Sequence, residues 1–130
     1  MTMHARGTFD VQGHAMPLED IAADAMLGRM SLDKRYHGEL AGQAKGQMLS
    51  VGSPTSGSAV YVAVERVTAT LGGKHGTFAL YHLGLMDRGK QSLSISVAPD
   101  SGTGELKGIT GTLAIEIVNG EHRYEFAYDL

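Results

Sequence analysis

Residues 112–128, TLAIEIVNGEHRYEFAY, hold two alternating runs joined by Asn119-Gly120. Gly111, Leu113, Ile115 and Ile117 fall on one face of the first run, and His122, Tyr124, Phe126 and Tyr128 on one face of the second. Asn-Gly is the pair that a two-residue hairpin turn selects, because both central residues need a positive φ. The turn puts the aliphatic and aromatic sets on the same side of an antiparallel pair. Glu116 then stands beside Arg123 on the other face, an opposite-charge pair worth roughly 0.2–1 kcal/mol. Burying Leu113, Ile115, Tyr124 and Phe126 contributes on the order of 1.5–3 kcal/mol each, so the core decides the register.

The pattern extends upstream. Leu93, Ile95 and Val97 alternate with Ser92, Ser94 and Ser96, which reads as a half-buried strand. Further strands are predicted near residues 4–14, 26–33, 35–49, 59–70, 76–86 and 90–98, making about eight with the final pair. Pro17 to Leu27, with Glu19-Asp20 early and Leu18, Ile21 and Ala25 spaced along it, reads as a helical turn in preference to a short helix. Residues 52–58 and 99–104 are surface loops by composition, and neither is long enough to link domains. Residues 1–130 are therefore a single all-β domain of about eight strands joined largely by hairpins. A weak internal echo, Gly38-Glu39-Leu40-Ala41-Gly42 against Gly104-Glu105-Leu106-Lys107-Gly108, is compatible with a duplicated half-barrel.

Composition narrows the function classes. Of 130 residues, 42% are hydrophobic and 19% charged, enough apolar material for a core and too little charge for a disordered chain. The 18 glycines follow no three-residue period and mark turns and bends. A net charge of −3 offers no electrostatic footprint for nucleic acid or an anionic membrane surface, so neither partner is expected. The chain has no cysteine, which removes thiol catalysis, thiolate metal sites and disulfides. The opening MTMHARGTFD is not a signal peptide, and no apolar run approaches the roughly 20 residues of a membrane helix; a soluble, cytoplasmic protein is expected.

Turn geometry carries the facing of side chains from strand to strand. With Arg88-Gly89 as a two-residue turn, Leu93, Ile95 and Val97 share a side with Phe78, Leu80, His82 and Gly84. A four-residue connection over Gly72–His75 adds Tyr61, Ala63, Glu65 and Val67 and sets Glu65 opposite His82. A two-residue turn at Gly72-Gly73 keeps these faces and shifts the pairing. Val60, Val62 and Val64 then meet Ala79, Tyr81 and Leu83 on the outside, so this hairpin is apolar on both faces. A second subunit is the expected cover, making the protein a homo-oligomer; a packed N-terminal segment or local helix is the alternative.

Glu65-Arg66-Val67, Leu71-Gly72-Gly73, Gly76-Thr77-Phe78-Ala79-Leu80-Tyr81-His82 and Ser101-Gly102-Thr103-Gly104-Glu105-Leu106 together resemble a bacterial family of unknown function, DUF3224. Gly7-Thr8-Phe9, Gly38-Glu39-Leu40-Ala41-Gly42 and Tyr124-Glu125-Phe126-Ala127-Tyr128 extend the resemblance over nearly the whole chain. It implies an eight-stranded antiparallel barrel of the allene oxide cyclase-like type. Allene oxide cyclases are cofactor-free isomerases that hold an apolar fatty-acid epoxide, and dirigent proteins use a similar barrel to orient phenolic radicals. No catalytic residue of either maps onto this sequence, and fold alone does not carry function.

Glu65 and His82 are the leading chemical candidates, because an ionisable pair on an apolar interior perturbs its own protonation, as acid–base sites require. The same pair also reads as a structural hydrogen bond that satisfies two buried polar groups. Tyr61, Tyr124 and Tyr128 offer apolar walls with orienting hydroxyls, or simply close a barrel end. No metal site is expected: His75 and His82, seven apart, point to opposite faces of a strand, and His4, His14 and His37 are scattered. Gly72–Thr77 lacks phosphate-loop spacing, and Gly102-x-Gly104-x-x-x-Gly108 misses the dinucleotide fingerprint, so no cofactor is expected. The favoured expectation is a barrel that binds a small apolar or phenolic ligand, lined by Tyr61, Phe78, Leu80, Ile95, Tyr124 and Phe126 with Glu65 and His82 as polar anchors. A cofactor-free isomerase using Glu65 and His82, and an oligomeric structural protein with a filled barrel, are the alternatives.

Overall fold

The computed structural model describes residues 1–18 and 26–130. Eight strands follow one another around a closed antiparallel barrel: β1 (Met3–Ala15), β2 (Leu27–Gly38), β3 (Leu40–Gly52), β4 (Ala59–Leu71), β5 (Lys74–Asp87), β6 (Lys90–Val97), β7 (Thr110–Val118) and β8 (Glu121–Asp129). β1 pairs with both β2 and β8, which closes the ring, and the seam between β6 and β7 is held by the single pair Ser96–Thr112. The helical turn expected within Pro17–Leu27 falls mainly on residues 19–25 and lies outside the described residues.

Three hairpins carry the turn chemistry that the strands require. Gly72-Gly73, Arg88-Gly89 and Asn119-Gly120 each place both central residues at positive φ, the twist that matches right-handed strands. The β7–β8 register is as the sequence reading has it, with Leu113 opposite Phe126 and Ile115 opposite Tyr124. Glu116 does stand opposite Arg123, but the Arg123 guanidinium bonds Glu121 at 2.8 Å instead.

Two expectations need correction. Strands predicted at 26–33 and 35–49 meet instead at Gly38-Glu39, where Gly38 has φ 104°. Asp33-Lys34-Arg35 has the composition of a turn, but alternation continues through it, and Lys34 and Tyr36 both point inward and are buried. The β4–β5 connection has two residues rather than four, so Glu65 pairs with Leu80, and His82 pairs with Ala63. Faces are unchanged and the Glu65–His82 relation becomes diagonal.

The lumen has two unlike halves. The half toward the Gly38-Glu39 and Gly72-Gly73 turns is packed solid with Phe9, Tyr36, Leu40, Val67, Leu71, Phe78, Leu80, Ile95, Leu113, Tyr124, Phe126 and Tyr128. Phe126 is stacked between Phe78 and Tyr128 at ring-centroid separations of 5.5 and 5.3 Å. The long β6–β7 connection seals this end by burying Leu106, from a short 3₁₀ turn (Gly104–Leu106), together with Ile109. The two echo segments act alike here: Leu40 and Leu106 are both fully buried, while Glu39 and Glu105 each accept a strand N–H, from Arg6 and His75. At the opposite end the inward positions Met30, Leu32, Met48, Tyr61 and Met86 are only half-buried, and Leu93 is 45% exposed.

Candidate functional site

A buried polar cluster forms the boundary between the two halves. Glu65 on β4 is 2% exposed, and its carboxylate is held by three donors. Lys34 Nζ donates to Oε2 at 2.7 Å, His82 Nε2 lies 2.7 Å from the same oxygen, and the Tyr36 hydroxyl donates to Oε1. Lys34 also sits 5.0 Å from the centre of the Phe9 ring, a cation–π contact on its apolar side.

Strand β3 makes the cluster possible. Lys34 and Tyr36 lie on β2 and Glu65 on β4, with β3 between them. The inward positions of β3 facing them are Gly42, Ala44 and Gly46, so nothing blocks side chains that lean across. A Cβ at Gly46 would stand 2.1 Å from the Val64 carbonyl oxygen and 2.9 Å from both Cα and Cβ of Glu65. Only glycine fits beside the carboxylate at that position.

Burial alone would raise the Glu65 carboxyl above its ordinary range, but the His82 hydrogen bond, the Lys34 charge and the Tyr36 hydroxyl outweigh it and bring the group down to about 2. Burial, reinforced by the negative charge of Glu65, pushes the Tyr36 hydroxyl well above the usual phenol range. The same two causes raise Tyr61. Because an ionised carboxylate only accepts, His82 presents a protonated Nε2 to it.

Toward the open end lies an apolar cavity of about 320 Å³, lined from β3, β4, β5 and β6 by residues that include Met48, Ser50, Tyr61, Gly84, Met86 and Leu93; neither Glu65 nor His82 is among its lining residues. Gly84 sits across from Tyr61, and a Cβ there would fall 2.0 Å from the tyrosine ring, so the bare backbone of β5 is what lets that ring lie flat against the wall. The rim at this end is tied together where Gly89 N–H donates to the Gly57 carbonyl at 2.9 Å and Arg88 N–H to the Ser58 hydroxyl at 3.1 Å.

The candidate residues thus divide. Glu65 and His82 are in contact, with Tyr61 close enough to feel the carboxylate charge. Phe78, Leu80, Ile95 and Phe126 face the lumen but are buried in the core and are not among the residues that line this cavity. Tyr124 is a latch at the closed end: its hydroxyl accepts from Leu40 N–H at 2.9 Å and reaches the His37 carbonyl at 2.8 Å, in room left by Gly7. Lys34, Tyr36, Met48 and Met86 were missed. The alternating small residues Gly42, Ala44 and Gly46 were the available signal, since a lumen face of small side chains implies large ones crossing it. Among the described residues no three His, Asp or Glu side chains converge to hold a metal.

Comparison with known proteins shows the family and the fold. A family model described as "Protein of unknown function (DUF3224)" matches residues 5–128. Among solved structures, a protein of unknown function from the DUF3224 family of Shewanella oneidensis MR-1 is similar at 41% identity, over 100% of this chain and 98% of that one, with a TM-score of 0.93. No curated protein matches.

Proposed function

The chain belongs to the DUF3224 family, and on that premise we propose that its barrel binds a small, largely apolar molecule, of phenolic or lipid-like character, in the cavity at its open end. The observation that carries this reading is the contrast within one lumen: a hollow of about 320 Å³ walled by methionine, leucine and tyrosine adjoins a half whose inward aromatic and aliphatic side chains are buried against one another. That volume is at the lower end of the roughly 300–1,000 Å³ of small-molecule sites, suiting a single ring or a short chain. Methionine walls adapt their shape to a guest, while Ser50 and the Tyr61 hydroxyl offer orientation. The Glu65 cluster lies deeper in the barrel and contributes no side chain to the cavity lining, with Tyr61 linking the two. Both carboxylate oxygens are already occupied by Lys34, Tyr36 and His82, which favours an electrostatic and structural role for Glu65 over proton transfer.

The test is a screen of phenols and short fatty acids by native mass spectrometry and thermal shift. Retained ligands at one per chain, with a raised melting temperature, are expected. A library that produces neither overturns the reading.

A further inference from the structure

The outer surface of the same wall carries a second feature that ligand binding leaves unused. On β3, β4 and β5 the outward side chains form three cross-strand rows: Val51–Val60–Leu85, Leu49–Val62–Leu83 and Gln47–Val64–Tyr81. Eight of these nine positions are apolar and none is charged. Leu49, Val51, Val62, Val64, Tyr81, Leu83 and Leu85 are all exposed. By contrast, the outward positions of β8, β1 and β2 carry Arg123, Glu125, Arg6, Asp10, Asp33 and Arg35. At roughly half exposure each, the apolar side chains present on the order of 600 Å², the upper limit of what a monomer usually leaves uncovered and most of the ~800 Å² per partner that a standard interface buries.

The geometry points to a second copy of this chain as the occupant, packed sheet face on sheet face about a two-fold axis. An uncharged patch of this size offers a charged partner nothing to pair with, whereas it is complementary to itself, as an isologous contact requires. The flanking charges choose between the two possible axes. Lys45 and Arg66 close one end of the array, and Asp87 continues the β5 row at the other, with Lys90 directly opposite it on β6. Arg66 reaches only the Thr77 hydroxyl, at 3.4 Å, and neither Arg66 nor Asp87 forms an ion pair among the described residues. An axis along the strands would set Arg66 against Arg66. An axis across them, through the Leu49–Val62–Leu83 row, runs the facing strands antiparallel and brings Arg66 of each copy toward Asp87 of the other. The second arrangement is the one proposed, with the roughly 30° offset usual for packed sheets.

Sedimentation equilibrium from 1 to 100 µM tests it. The wild-type chain is expected as a dimer, and Leu83→Lys, an outward change that leaves the lumen intact, as a monomer with an unchanged far-ultraviolet spectrum. Arg66→Asp is expected to weaken the dimer at least tenfold and Arg66→Asp with Asp87→Arg to restore it. A wild-type monomer at 100 µM, or a dimer that Leu83→Lys does not dissociate, overturns the interface. Failure of the double exchange to restore what Arg66→Asp loses overturns the chosen axis. Ligand retention by the Leu83→Lys monomer is read separately, so loss of the dimer and loss of the pocket are distinguishable.

Discussion

The two halves of the lumen are built from the same alternation and differ in what the inward positions hold and in the plug that the β6–β7 connection adds at one end. Toward the closed end they hold aromatic rings in mutual contact, with Leu106 and Ile109 plugging the bottom. Toward the open end they hold methionines, glycines and single large residues that are half-buried or exposed around the cavity. The first half holds the buried core, and the second holds the hollow in which a guest is proposed to bind. The contrast teaches that closing a small barrel does not by itself fill it; side-chain volume at each level decides whether a level is core or pocket.

Substitutions can break or sharpen this contrast. The largest loss is expected for Phe126→Ala, which empties the space between Phe78 and Tyr128 and should cost about 3–5 kcal/mol by urea denaturation. Next comes Glu65→Gln at the boundary, about 3 kcal/mol at pH 7, because Lys34 is left as a buried charge without its counter-ion. The effect depends on pH with a definite sign. The Glu65 carboxyl lies near 2 when folded, against an ordinary 4.5, so the folded state binds the proton less readily than the unfolded one. Its stabilisation is full above pH 4.5 and is lost as the pH falls toward 2. Urea midpoints of wild type and Glu65→Gln should therefore converge between pH 4.5 and 2.5; a constant gap would mean that the charge is not the source of the stabilisation. Gly84→Ala, which forces the Tyr61 ring off the wall, should cost about 1 kcal/mol while altering ligand affinity. Leu93→Ala at the half-open rim should shift stability by under about 1 kcal/mol, the smallest change of the series.

Much of this arrangement was legible in the sequence because period-two alternation and paired positive-φ turns are local signals. Asn119-Gly120 and Arg88-Gly89 fix faces and registers that hold in the structure, whereas the Gly72-Gly73 turn brings Glu65 to the face of His82 with the right parity and a shifted register. The β2–β3 turn was not legible, since Lys34 looks like a surface residue until its partner, 31 positions along the chain, is known. For the same reason Lys34 and Tyr36 were absent from the expected cluster. Nor could alternation tell a filled level from an open one: Ile95 and Leu93 read identically, yet one is sealed in the core and the other stands at the mouth.

The most direct measurement is a calorimetric titration of a phenolic or fatty-acid hit into wild type and into Leu93→Trp, whose indole fills the open half without touching the Phe78–Phe126 stack. Affinity should fall at least tenfold with the melting temperature little changed. Undiminished binding by Leu93→Trp would put the guest elsewhere and contradict the division of the lumen into a core and a pocket.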